Sequence, residues 1–242
     1  MSTEGHSITV SGIKVAVVRK SIKNLHLGVY PPEGRVRIAA PIALSDDAIR
    51  LAIVTRMAWI KRQRAKFGAQ TRQSARAYVS GETHFFLGQR FRLTLIEGSA
   101  TGRVRVRNSR TIDLNVRVGS DRATRERVFL GWYRQELRTR ASPLVEKWTT
   151  RMSVPPPAWG IKRMKTKWGA CSIEARRIWL NLELIKKPPP CLEYIVVHEL
   201  AHFLERNHTD RFLALMDRML PQWRLLRDEL NAEPLAHDEW SY

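Results

Sequence analysis

The stretch Tyr194-Ile195-Val196-Val197-His198-Glu199-Leu200-Ala201-His202, continued by Arg206-Asn207-His208, places the pattern HExxHxxxxxH in an apolar run of helix length. Residues four apart on an α-helix point the same way to within about 40°. His198 and His202 therefore share one face and can hold one cation. Glu199 is rotated by about 100°, close to that cation but with its carboxyl free to handle a proton. Neutral imidazoles suit zinc, and three protein ligands leave a fourth position for water. The pattern predicts a Zn2+ site with Glu199 as general base toward water acidified by the metal. The competing reading is a surface or core helix with chance histidines. It leaves unexplained why three of the seven histidines fall between positions 198 and 208.

His208 would lie about 240° past His202 on a continued helix. It reaches the same ion only if the helix ends and the chain turns back. Asn207 is a residue that tolerates the left-handed conformation closing a helix C-terminus. Thr209, with Asp210 after it, can cap a new helix through Arg211-Phe212-Leu213-Ala214-Leu215-Met216. His208 is the expected third ligand, with Glu205, Asp210, Glu229 and Glu233 as carboxylate rivals.

Outward from this site the chain changes character. Residues 1–190 hold 37 Lys and Arg against 13 Asp and Glu, whereas residues 191–242 hold 5 against 10. The metal segment is thus acidic and the remainder strongly basic, and the chain as a whole carries +19. Arg outnumbers Lys, 31 to 11, and Arg forks match phosphate geometry. In Arg103-Val104-Arg105-Val106-Arg107 the charges alternate with period two, so one strand face is a row of guanidiniums able to track a phosphate backbone. DNA or RNA is the partner this row suggests. An Arg-rich surface produced by codon bias is the plain alternative.

At 242 residues and 43% hydrophobic content, the chain is long and apolar enough for one large or two small folded domains. No apolar run is long enough to span a membrane, and Met1 to Ser7 lacks a signal-type apolar stretch. Cys171 and Cys191 form no disulfide framework and read as buried small residues. Together these point to the cytoplasm and to no membrane partner.

Periodicity predicts an α+β chain: an N-terminal antiparallel, β-rich region with helices, then a small catalytic domain with a short sheet and the HExxH helix. The expected divisions are a basic β-rich domain over 1–118, a long connecting helix over 119–152 and the metal domain over 153–242. Short strands alternate through 7–40, and a helix capped by Ser45 runs to about Phe67. A second helix, capped by Asp121, runs to about Arg151 with a break at Pro143. Pro155-Pro156-Pro157 and Pro188-Pro189-Pro190 punctuate the metal domain, and no internal repeat is evident. His26 and His84 read as hydrogen-bonded structural residues. Trp59, Trp132, Trp148 and Trp223 read as core, and Trp168 and Trp179 as core or cleft walls.

The segment Arg163-Met164-Lys165-Thr166-Lys167-Trp168-Gly169-Ala170-Cys171-Ser172 resembles the RxxxxWGSCS stretch of the YgjP-like metallopeptidase family, with Ala170 in place of the usual Ser. Ile178-Trp179-Leu180-Asn181 resembles that family's strand ending in Leu-Asn, and Tyr194 to His202 with Arg206-Asn207-His208 and Arg211-Phe212 resembles its zinc core. The family is related to SprT-like zinc proteases, some of which degrade proteins crosslinked to DNA. The resemblance implies a zincin domain with His198, His202 and His208 as ligands and Glu199 as base. Asn207 is not the glycine of metzincins, and no Met-turn is evident.

Two functions are carried forward. One is a cytoplasmic zinc metallopeptidase acting on proteins near nucleic acid, with Ile178–Leu182 as the strand that pairs with an extended substrate. The other is a zinc-dependent nucleotide pyrophosphatase whose arginines bind the phosphates. A nucleic-acid module with a structural zinc is disfavoured by Glu199, because structural sites are closed by four ligands.

Overall fold

Two hydrophobic cores organise the chain, each in its own compact unit, Met1–Gln73 and Ser74–Tyr242. The computed structural model describes residues 5–30, 34–69, 76–164 and 167–232. In the first unit β1 (Gly5–Val10), β2 (Ile13–Lys20), β3 (His26–Tyr30) and β4 (Arg35–Pro41) form a sheet in the order β1-β2-β4-β3. The alternation along β2 buries Ile13, Val15 and Val17 and turns Lys14 outward. Helices α1 (Asp46–Thr55) and α2 (Met57–Ala69) follow, and Ile49, Ile53 and Ile60 complete the core. The one helix expected from Ser45 to Phe67 is thus two, divided at Arg56. Trp59 is 36% exposed rather than core, and His26 is exposed on β3.

The second unit opens with β5 (Thr83–Phe86), β6 (Gln89–Glu97), β7 (Arg103–Asn108) and β8 (Thr111–Val116), ordered β5-β6-β8-β7. This is the topology of the first sheet again. Each begins with an antiparallel hairpin, each has a parallel pair at its centre, and each ends on an antiparallel pair. Both opening hairpins turn on two residues at positive φ, Ser11-Gly12 and Leu87-Gly88, the two-residue turn that suits strand twist. Both sheets lead into a helix whose cap side chain, Ser45 or Asp121, accepts from the amide three residues on. The fold therefore repeats where no repeat was evident in sequence. Both sheets are mixed rather than antiparallel, because each closing hairpin docks its second strand, not its first, against the preceding hairpin.

Helix α3 (Arg122–Arg151) is continuous through Pro143. The expected break is absent because Pro143 and Thr139, whose carbonyl loses its partner, are both exposed and open to water. Beyond it lie β9 (Ala158–Lys162), β10 (Gly169–Ser172) and β11 (Arg177–Asn181), a 3-10 helix (Leu182–Lys186), and α4 (Pro189–Ala201), α5 (Asp210–Met219) and α6 (Trp223–Ala232). The three strands are ordered β10-β11-β9. The expected boundaries at 118 and 152 cut through one core: Leu114 of β8, Phe129 and Trp148 of α3, and Val196 of α4 belong to a single buried cluster. Packing between distant strands and helices fuses what local sequence separates.

Candidate metal centre

Helix α4 is apolar over most of its surface, interrupted by Glu193, His198 and Glu199, which fits an element enclosed by others. It packs on α3, α5, α6 and the three-stranded sheet, and Val196, Val197 and Leu200 are fully buried. Its first turn holds Pro189 and Pro190, where a missing N–H costs nothing because it would lack a helical partner anyway. The helix ends at Ala201 and is capped by His202. The turn that follows is closed by the amides of Leu204 and Glu205 bonding back to Ala201 O. Asn207 is not among the residues at positive φ, so the expected closure at Asn207 is replaced by one several residues earlier. Thr209 caps α5 as expected, its hydroxyl accepting from Phe212 N.

This turn brings His208 back to the helix. One nitrogen from each of His198, His202 and His208 lies within 4.8 Å of the others, and Nε2 of His208 stands 3.1 Å from Nε2 of His198. Two nitrogens bound tetrahedrally at about 2.0–2.1 Å to one ion stand roughly 3.3 Å apart, so the cluster has the dimensions of a zinc-sized cation. Nδ1 of His202 donates to the Glu205 carbonyl over 3.2 Å, which leaves Nε2 as the lone-pair nitrogen. Nδ1 of His198 is buried with no partner among the described residues. Phe212 packs against all three rings with centroids 4.7–5.1 Å away, a contact that the helical pattern of 211–216 does not signal.

Electrostatics favours the neutral imidazole, the form able to bind a cation. Burial pulls His198 down to about 3, helped by the charges of His202 and His208, and burial likewise lowers His202. Burial pushes the Glu199 carboxyl up to about 8, against the pull of Lys167. Glu199 is 4% exposed and lies directly on the backbone of β10. A Cβ at Gly169 would meet its Cγ at 2.7 Å and Cδ at 2.8 Å.

A cavity of about 550 Å³ opens above the histidines, with Gly169, Ala170 and Cys171 along one wall. Trp168 lines it and donates through Nε1 to Asn231 of α6 over 3.3 Å. Trp179 does not line it; the indole lies over Gly160 instead. Cys191 is buried as expected, whereas Cys171 is half-buried in the cavity wall. The expected substrate strand, Ile178–Leu182, falls on β11 with Leu182 already in the 3-10 helix, and both edges of β11 are taken by β10 and β9. The strand beside the cavity is β10. Asn181 holds the loop leading to it: its Nδ2 donates to the carbonyls of Met164 and Lys167, and its Oδ1 accepts from the amides of Met164 and Glu183. Of the carboxylate rivals, Glu205 meets His202 only through its backbone, Glu229 lies beside Cys191, and Asp210 is outside the histidine cluster. Glu233 lies outside the described residues.

A helix-borne histidine cluster beside a buried glutamate is an arrangement suited to metal-dependent hydrolysis. The model of the YgjP-like metallopeptidase domain matches residues 23–233, and the chain belongs to that family. Two solved structures are similar over part of the chain. They are the metallopeptidase zymogens abylysin from Pyrococcus abyssi (20% identity, TM-score 0.36, 38% of this chain and 92% of that one) and jannalysin from Methanocaldococcus jannaschii (21%, 0.34, 37% and 86%). No curated protein matches.

Proposed function

We propose that the protein is a zinc peptidase in which His198, His202 and His208 hold Zn2+ and Glu199 is the general base. The observation that carries this reading is the meeting of three imidazoles within 4.8 Å beside one buried carboxyl on the wall of an open cavity. When bound, zinc supplies Lewis acidity, lowering the pKa of water from about 15.7 to about 7. Glu199 takes the proton that water loses as its oxygen bonds to the peptide carbonyl carbon, and delivers it to the amine nitrogen as the C–N bond breaks. Burial raises the proton affinity of Glu199, and a nearby cation opposes that by favouring the carboxylate. An extended peptide pairs with the open edge of β10, replacing β11 as the substrate strand.

Protein substrates held near DNA or RNA fit the basic character of the chain, and the free cysteines fit the cytoplasm. No helix among the described residues is long and apolar enough to cross a membrane. The pyrophosphatase reading requires arginines in the cleft. Among the described residues lining it, the cations are Lys167 and Arg206, and Arg206 is paired with Glu174 at 3.3 Å. Phosphoanhydride chemistry is therefore the weaker alternative. The test uses the zinc-loaded protein on an unfolded protein and on nucleoside triphosphates in parallel. Peptide cleavage that Glu199→Gln abolishes at unchanged zinc content is the expected result. Pyrophosphate release without proteolysis overturns the reading.

A further inference from the structure

The repeated sheets each have one face on a hydrophobic core and one face in solvent. In the second unit the outward positions follow from register: Thr83 opposite Arg92, Phe85 opposite Arg90, Arg103 opposite Asn115 and Arg105 opposite Asp113. Four exposed arginines, Arg90, Arg92, Arg103 and Arg105, thus share this face across strands β6 and β7. Phe85 sits on the β5 edge beside Arg90 and Arg92, half-buried, with the Arg90 guanidinium 5.6 Å from its ring centre. Asp113 is the one carboxylate on this face among the described residues. It is buried and engaged by Arg107 at 2.7 Å, so it does not neutralise the other four.

The first unit repeats the arrangement independently. Register places Lys14 of β2, Arg35 and Arg37 of β4 and the exposed Tyr30 of β3 on its outer face. A basic face with one aromatic ring on an edge strand therefore occurs in both units, on the first strand of the second sheet and on the third strand of the first, which are opposite edges of the shared topology. Alternate residues on a strand are about 6.7 Å apart and neighbouring strands about 4.8 Å, so Lys14, Arg35 and Arg37 neighbour one another on β2 and β4, while Arg90 and Arg92 on β6 and Arg103 and Arg105 on β7 form two rows of a wider grid with β8 between them. A polyphosphate chain complements such a grid. Aromatic rings set among cations add stacking for unpaired bases, which a duplex keeps hidden.

We propose that the outer faces of these two sheets bind single-stranded nucleic acid. Arg90, Arg92, Arg103, Arg105, Lys14, Arg35 and Arg37 contact phosphates, and Phe85 and Tyr30 stack on bases. This deepens the reading in which substrates lie near DNA or RNA, and it stands apart from the peptidase chemistry because none of these residues lines the metal cleft.

The test measures binding of a fluorescent oligothymidylate of about 20 nucleotides, longer than one such fold occupies, to the zinc-loaded Glu199→Gln protein over a salt series. Two variants replace a face's cations by Gln: Arg90, Arg92, Arg103 and Arg105 in one, Lys14, Arg35 and Arg37 in the other. A third combines them. A control places Gln at the exposed Arg127, Arg134 and Arg138 of α3. Each face variant is expected to bind roughly tenfold or more weakly, with the salt slope shallower by about 0.7 for each phosphate left without its cation. The combined variant is expected to lose binding, and the control to stay within a few-fold of the parent. Phe85→Leu with Tyr30→Leu is expected to weaken the single strand more than a duplex of the same length. Three results overturn the proposal: no binding by the parent at low salt, equal loss in the α3 control, or tighter binding of duplex than of single strand. Proteolysis by the parent enzyme is scored separately, so failure here leaves the peptidase reading standing.

Discussion

Gly169 and Glu199 show how closely one residue conditions another at this site. Any side chain at 169 meets the Glu199 carboxyl inside van der Waals distance, and the strand backbone has no room to withdraw because β11 holds it. Gly169→Ala is expected to displace the carboxyl by an ångström or so and lower kcat/KM roughly 100-fold, with zinc content unchanged by metal analysis. Asn181 acts at one remove. Replacing it with Ala strands two carbonyls and two amides in a buried place. The expected cost is about 3 kcal/mol, read as a melting point lower by roughly 6–12 °C. His84 gives a pH effect outside the site. Burial pulls it from 6.5 down to about 4, with the charge of Arg76 adding to the shift, while Glu82 opposes it. Between those values the unfolded chain binds a proton that the folded protein does not, so stability falls as pH drops from about 6.5 to about 4. A melting point that stays flat from pH 6.5 to 4.5 contradicts this assignment.

Among the elements, α4 is the one whose position the site depends on most. Leu200 lies between His198 and His202 of the histidine cluster in sequence but points fully into the core. Leu200→Ala is expected to cost about 2–5 kcal/mol through the cavity it leaves and to weaken zinc retention, because the helix that spaces His198 and His202 loses its seat. Zinc dialysis and denaturant unfolding measure the two effects separately. The HExxH helix, the caps at Ser45, Asp121 and Thr209, and most strands were legible in sequence, since each follows from local periodicity or a capping side chain. The end of α4, the continuity of α3 through Pro143 and the central place of β11 were not. Each depends on what lies alongside: the Ala201 carbonyl that closes the turn, the solvent that faces Thr139, and β9 returning parallel to β11 from before the strand pair begins.

At the scale of the molecule, two separate hydrophobic cores predict two unfolding events, and the histidine cluster belongs to only one of them. Chelation is expected to lower the stability of the unit spanning 74–242 by about 4 kcal/mol where zinc stands at 1,000 times its Kd. The transition of residues 1–73 is expected to stay where it is. Scanning calorimetry with and without chelator decides this; a shift of both transitions contradicts it. Sequence alone determined that His198 and His202 share one face of α4, because spacing on a helix is set by 3.6 residues per turn and needs no distant partner. It also determined the rows of arginine, because strand period is local. Only the tertiary structure decided that His208 returns to the cluster, that β10 rather than β11 borders the cleft, and that two dissimilar stretches build the same sheet. Those outcomes depend on which surfaces meet, and burial of apolar area is indifferent to which apolar residues supply it.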